Sequence, residues 1–309
     1  MSAINPRVDI AFKKIFGVEE NKDLLISLIN SIVGAQDQVA DVILLNPYNA
    51  RNFENDKLSI LDVKAQGVDG KRFNIEIQIS DEADYDKRAL YYWAKLYTEQ
   101  LKASEDYSKL SKAIGIHILN FTSIPEVESY HNVFHITEKN SGALYFKDLE
   151  LHTIELKKFS NDADEALSSF ILRIRNALDL WVAFLTKHEV LKPGHLPKNL
   201  EHRSLEKALN VLKIMNFSAE EREAYEGHLK WLMIEANTLK KSEEKGRAEG
   251  EIMGLEKGRA EGEVIGLEKG EYLAKVAIAK NLMSRGLAMD QIVGITGLVS
   301  TELEALGSE

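Results

Sequence analysis

From residue 9 to residue 33 the apolar side chains fall at helical spacing: Phe12, Ile15 and Phe16, then, after Gly17, Leu24, Leu25, Leu28, Ile29 and Ile32. This spacing predicts a helix interrupted near Gly17 and ended by Gly34. Residues 39–45 are β-rich and stop at Asn46-Pro47, which predicts a short strand. The clearest signal follows. Residues 58–66, LSILDVKAQ, and 72–80, RFNIEIQIS, both alternate, and Gly67-Val-Asp-Gly70 between them has turn composition. They predict a hairpin. One face carries Leu61, Val63, Ala65, Phe73, Ile75, Ile77 and Ile79; the other carries Asp62, Lys64, Asn74, Glu76, Gln78 and Ser80.

Beyond the hairpin, 85–103 has the cadence of an amphipathic helix, and 113–121, AIGIHILNF, that of an apolar strand. Segments 131–137 and 144–156 read as further strands. From about residue 161 the pattern turns helical. Leu167, Phe170, Ile171, Ile174, Leu178, Trp181 and Leu185 form one stripe, Pro193 and Pro197 mark a break, and two helices follow near 200–215 and 219–240. The predicted fold class is α/β: a mixed sheet flanked by helices, then an all-helical C-terminal tail. The expected divisions are a core over 1–160, a helical extension over 161–240, a glycine-rich helix over 241–271 and a small helical segment over 272–309.

The glycine-rich segment is an internal repeat. GRAEGEIMGLEK (246–257) returns as GRAEGEVIGLEK (258–269), so Gly246, Gly250, Gly254, Gly258, Gly262, Gly266 and Gly270 stand four apart. Inside a helix seven glycines cost on the order of 7 kcal/mol against alanine. The expected return is close approach of a second backbone along the glycine stripe, as in GxxxG packing. The segment is therefore expected to form a homodimer, the alternative being a flexible linker. Segment 287–306 has a helix–turn–helix cadence, but its second helix carries Glu302 and Glu304 and no Lys or Arg, which suits a protein contact better than DNA reading.

Composition narrows the chemistry. Cysteine is absent, which removes disulfides and thiolate zinc sites. No apolar run reaches the roughly 18 residues of a membrane span, and the N-terminus has no signal-type apolar stretch, so a cytoplasmic location is expected. The net charge is −10, and residues 1–124 hold 15 Lys/Arg against 18 Asp/Glu. Such a chain does not coat nucleic acid through bulk charge; any approach to a polyanion needs a local basic surface or metal ions.

With Asp69 at the apex of the turn, Asp62 lies directly opposite Glu76, at a cross-strand Cβ separation of about 5 Å. Two facing carboxylates repel unless a cation joins them. Mg²⁺ and Mn²⁺ take oxygen ligands, and either ion can polarise a phosphodiester and activate water. Asp62 and Glu76 are thus candidate metal ligands, with the Ile77 carbonyl as a third donor. Without a metal, this face reads as a solvated polar strand face.

An Asp on one strand, a turn, and Glu-x-Lys on the next is the core of the PD-(D/E)XK nucleases, and Asp62 followed by Glu76-Ile77-Gln78 is similar to it. NPRVDIAFKKIFG (5–17), LDVKAQGVDGKRFNIEIQIS (61–80) and KRALYYWAKLYTEQL (87–101) resemble the Rpn family of recombination-promoting nucleases and transposases. The resemblance covers roughly 5–240. It implies a restriction-endonuclease-like core and a Mg²⁺- or Mn²⁺-dependent DNA endonuclease serving recombination, mobile elements or phage defence; the alternative is a non-catalytic DNA-binding or assembly protein on the same scaffold. Gln78 stands where the family has lysine, and glutamine can orient water but brings no charge. Lys64, on the same face, is the candidate substitute, so the catalytic set is Asp62, Glu76, Gln78 and Lys64. By the same resemblance Asp9 is a further metal ligand, against a plain helix-capping role. Arg88 and Tyr92, four apart on the next helix, are candidate DNA contacts, the other reading being packing on the sheet.

Overall fold

The computed structural model describes residues 4–48, 62–81, 84–160, 165–192, 196–198, 200 and 203–307. Two helices come first, α1 (Asp9–Phe16) and α2 (Lys22–Ile32), separated at Gly17 as expected. Strands β1 (Val42–Leu44), β2 (Asp62–Gly67) and β3 (Arg72–Gln78) follow, then α3 (Tyr85–Thr98), β4 (Ala113–Leu119), β5 (His131–Thr137) and β6 (Leu144–Glu155). Residues 58–61, expected in the first strand of the hairpin, lie outside the described residues.

The six strands form one mixed sheet in the order β1-β2-β3-β4-β6-β5. β2 runs antiparallel to both β1 and β3, β3 runs parallel to β4 and β4 to β6, and β5 returns antiparallel along β6 at the edge. Alternation puts Phe73, Ile75, Ile77, Ile114, Ile116 and Ile118 on one face, where they meet Phe12, Phe16, Leu25 and Leu28 of the first helices. The other face is covered by α3: Trp93 and Leu96 pack on Ala113 and Leu149, Tyr85 and Ala89 on Leu119 and Phe121. The Trp93 indole fixes this contact by donating to the Ala113 carbonyl at 2.7 Å. β3 and β4 are buried on both faces, as parallel strands under crossover helices must be. β5 is mostly exposed, and its pairing with β6 is irregular between Phe134 and Ile136 and between Ile136 and Thr137.

After β6 come α4 (Leu156–Phe159), α5 (Leu167–Leu172), α6 (Ala177–Lys187) and α7 (Arg203–Ile214). The apolar stripe expected from Leu167 to Leu185 as one helix is divided between α5 and α6. Asn176 is the cause: its backbone is extended, its side chain accepts from the Asp179 amide at 2.9 Å, and Asp179 accepts in return from Asn176, a reciprocal cap that starts a new helix. Asp179 also accepts from the Tyr130 hydroxyl. Phe170, Trp181, Phe184, Leu205 and Leu212 from this segment belong to the same core as the sheet.

Helix α8 (Ala219–Ser284) has 66 residues, and the limits 240/241 and 271/272 expected for the glycine segment both fall inside it. By contacts the chain divides into Met1–Met233 and Ile234–Glu309. The start of α8 belongs to the first unit: Tyr225 packs on Val8, Ile10 and Ala11, and its hydroxyl accepts from the Asn5 amide at 2.8 Å. In the second unit, α9 (Met289–Thr296) and α10 (Ser300–Gly307) close a small core of Ala279, Ile292, Leu298 and Leu303. Gly297 ends α9 with φ +71, a conformation that favours glycine. Among the described residues no helix is long and apolar enough to cross a membrane.

The first turn of α8 is tied to α1 by a buried carboxylate. Glu221 accepts from Lys14 Nζ at 2.6 Å, from the Ser218 amide at 2.8 Å and from the Tyr48 hydroxyl. Burial pushes its pKa up, but these donors outweigh burial and hold it below the ordinary value. A carboxylate depressed in the folded state stabilises the fold above its unfolded pKa of about 4.3, and that contribution is lost as pH falls through the folded value. Glu221→Gln is expected to lower stability by about 2 kcal/mol at pH 7. In urea unfolding followed from pH 7 to pH 3, the wild type should lose stability more steeply on acidification than the variant.

Candidate metal centre

The hairpin has the expected register. Asp62 pairs with Glu76, Lys64 with Asn74 and Gln66 with Arg72, so Asp69 is the midpoint of the turn. Gly70 adopts φ +87 to close it. Parallel pairing extends the row: Glu76 is aligned with His117 on β4, and His117 with Thr153 on β6. Cα partners share a face, so Asp62, Glu76, His117 and Thr153 cross the sheet in one line. The Asp62 side chain lies outside the described residues.

Glu76 is 3% exposed, and its neighbour Asn74 is buried as well. The alternative of a solvated strand face is therefore overturned for this part of the hairpin: parallel pairing with β4 brings α3 over the polar face. From α3, Arg88 Nη2 stands 3.7 Å from Glu76 Oε1, and its guanidinium lies 5.6 Å from the centre of the Tyr85 ring. From β4, His117 Nδ1 stands 3.9 Å from Glu76 Oε2.

Asp9 joins from α1. The chain before it is anchored where Arg7 Nη1 donates to Asn120 Oδ1 at 2.8 Å, just past the end of β4. Val8, not Asp9, occupies the cap position, and Asp9 is the first residue of the helix. Its carboxyl is pushed up to about 7, first by burial and then by the negative charge of Glu76, against the opposing pull of Arg88. His228 of α8 adds a nitrogen 3.7 Å from Asp9 Oδ2. Beside these groups, burial, then the charge of the neighbouring His152 and of Arg88, hold His117 down to about 4, which favours the neutral imidazole. Burial, with help from Glu76, raises the Tyr85 hydroxyl above its ordinary range.

A second buried carboxylate shows what a satisfied one looks like. Glu150, on the opposite face, accepts from Lys112 Nζ at 2.7 Å and bonds His152 Nε2 at 2.8 Å, and Lys112 also reaches Asp37 at 2.7 Å. Burial raises Glu150, but these partners overcome it and bring the carboxyl down to about 2. At Asp9 and Glu76, by contrast, two carboxyls lie close enough for the charge of one to help raise the other. Their mutual repulsion in a buried place is the state that a divalent cation relieves. Oxygen donors from two or three acids fit such an ion. Among the described residues, no three His, Asp or Glu side chains are placed to hold one alone.

The other expected residues divide. Lys64 lies on the row's face one pair from Asp62, its amide donating to Asn46 Oδ1 at 2.7 Å. Gln78 is only partly buried and donates to the Ser80 carbonyl at 3.3 Å, turned along its own strand. The Ile77 side chain is committed to the core, which leaves its carbonyl as the donor. Arg88 is brought to Glu76. Tyr92, one turn further along α3, has its ring contact with Tyr91 at 5.6 Å. Sequence reading missed His117, Tyr85 and His228. The signal for His117 was present: in AIGIHIL, Gly115 and His117 alternate with the isoleucines and so face away from the core.

No curated protein and no solved structure matches the chain. Residues 6–242 match the PD-(D/E)XK nuclease family transposases, which spans most of the 309 residues and includes α1, the hairpin and the start of α8, and the chain belongs to that family.

Proposed function

We propose that the protein is a Mg²⁺- or Mn²⁺-dependent endonuclease acting on DNA, with Asp62, Glu76 and Asp9 as the metal-binding carboxylates and the Ile77 carbonyl as a further donor. One observation carries this reading: Glu76 is buried, aligned with Asp62 across the hairpin, and near enough to Asp9 that its charge adds to burial in raising the Asp9 carboxyl to about 7. A fold that brings buried carboxyls together in this way suits a divalent cation. When bound, the ion supplies charge to polarise a phosphodiester and to activate water.

The chain's own residues then take distinct tasks. Arg88, beside Glu76, binds a phosphate oxygen of the DNA backbone; a guanidinium suits that role by its fork of donors. Lys64 brings the positive charge that Gln78 lacks, and Gln78 orients water through its amide. Tyr92 lies further along the same helix, where it extends the DNA-binding face. With a net charge of −10, binding depends on this local surface and on the ion, and weakens steeply as salt rises.

In a supercoiled-plasmid assay, the wild type is expected to cleave with Mg²⁺ or Mn²⁺ and to stop with EDTA. Asp62→Ala should lose at least about 100-fold in rate, since even residues one shell out from a metal commonly cost 10- to 100-fold. DNA binding by the wild type without cleavage under either ion would instead establish a non-catalytic DNA-binding protein on a nuclease scaffold, the reading favoured by glutamine at position 78. Lys64→Ala tests the substitute lysine separately: unchanged cleavage removes Lys64 from the catalytic set.

The reading extends to two chains. Gly246 to Gly270 lie in the exposed part of α8, and nothing among the described residues comes within 4 Å of where their Cβ atoms would be. The fold of one chain thus has no use for the missing side chains, each of which costs about 1 kcal/mol of helix stability. Close backbone approach in a homodimer supplies the use. In sedimentation of the full chain, Gly254→Leu with Gly258→Leu should shift a wild-type dimer toward monomer; a monomeric wild type at tens of micromolar would dispose of the dimer.

A further inference from the structure

We propose, resting on the carboxylate site just described, that His117 gives that site a nitrogen donor and so makes it selective for Mn²⁺ over Mg²⁺. His117 is 2% exposed, and among the described residues neither of its ring nitrogens has a hydrogen bond. Buried histidines in a finished core give at least one nitrogen to a carbonyl, carboxylate or water. Here an acid oxygen, Glu76 Oε2, stands 3.9 Å from Nδ1. That is too far for a hydrogen bond. It is a gap that one ion can bridge, since two metal–ligand bonds of about 2.1 Å span up to about 4.2 Å.

The surroundings hold the ring in place. The Tyr85 ring meets it edge-on at 5.8 Å between centroids. Residue 115 is glycine, and a Cβ there would stand 3.0 Å from His117 Nε2 and 2.7 Å from a Leu151 methyl. The seat of the imidazole therefore exists because position 115 has no side chain. Two further polar atoms nearby, the Tyr85 hydroxyl and Thr153 Oγ1, are buried without a hydrogen bond among the described residues. Imidazole, hydroxyls and carboxylate are thus buried along one row of the sheet, a setting that suits an ion better than packed hydrocarbon.

Donor type sets the choice of ion. Mg²⁺ holds to oxygen ligands and keeps its water, whereas first-row transition ions accept imidazole readily. One nitrogen donor thus favours Mn²⁺ without excluding Mg²⁺ from the carboxylates.

The test uses the full-length protein loaded with Mn²⁺, read by calorimetry and by pulsed electron paramagnetic resonance. The wild type should bind Mn²⁺ with a ¹⁴N coupling from a directly bound imidazole. His117→Gln should lose the coupling and weaken Mn²⁺ at least about 10-fold, with Mg²⁺ affinity little changed; His117→Asn serves if the glutamine variant does not fold. His228→Gln should keep the coupling. Wild-type Mn²⁺ without a ¹⁴N coupling, or a coupling that persists in the His117 variant and disappears in His228→Gln, overturns the role of His117 and leaves the carboxylate site standing. Absence of Mn²⁺ binding, or binding indifferent to Glu76→Gln, overturns the carboxylate site itself.

Discussion

Everything at the candidate site follows from the parallel pairing of β3 with β4. An antiparallel hairpin alone leaves one face in water, and its acids then need no partner. Once β3 lies beside β4, a helix has to cover the second face, and α3 does so with Trp93 and Leu96. Burial of Glu76 is the consequence. The same pairing aligns Glu76 with His117, a neighbour 41 residues away in the chain. A carboxylate and a histidine thus meet through backbone register, and the covering helix adds an arginine.

The two faces of the sheet treat buried charge in opposite ways. At Glu150 the chain supplies Lys112 and His152, and the carboxylate stays ionised as a structural element between Asp37 and the last strands. At Asp9 and Glu76 it brings two carboxyls together, with the Arg88 guanidinium 3.7 Å and His117 3.9 Å from Glu76 and His228 3.7 Å from Asp9. The contrast within one sheet separates a structural acid from a candidate functional one more firmly than burial alone, since Glu150 and Glu76 are buried alike.

The sequence made the local layers legible. Alternation in RFNIEIQIS placed the hairpin, its register and the buried side of the sheet, because each depends on residues a few positions apart. Gly17 and Gly34 marked helix ends for the same reason. The asparagine cap that divides Leu167 to Leu185 was also local, as Asn176 and Asp179, but a strong apolar stripe concealed it. What alternation could not supply was the covering of the polar face, which depends on a crossover and a long-range strand pairing. His117 and His228 were missed on that account: their positions relative to Glu76 and Asp9 are set by β4 and α8, not by spacing along the chain.

The irregular pairing at the end of β5 has a consequence for the protein in bulk solution. HNVFHIT has neither proline nor lysine, and it lies at the free edge of the sheet with Val133, Phe134 and Ile136 exposed. A flat strand of that composition is a template on which other chains deposit, at concentrations where native contacts would be silent. The register shifts between Phe134 and Thr137 bend and twist the strand away from a flat ladder. Shifts of this kind work against the in-register stacking that such deposition requires.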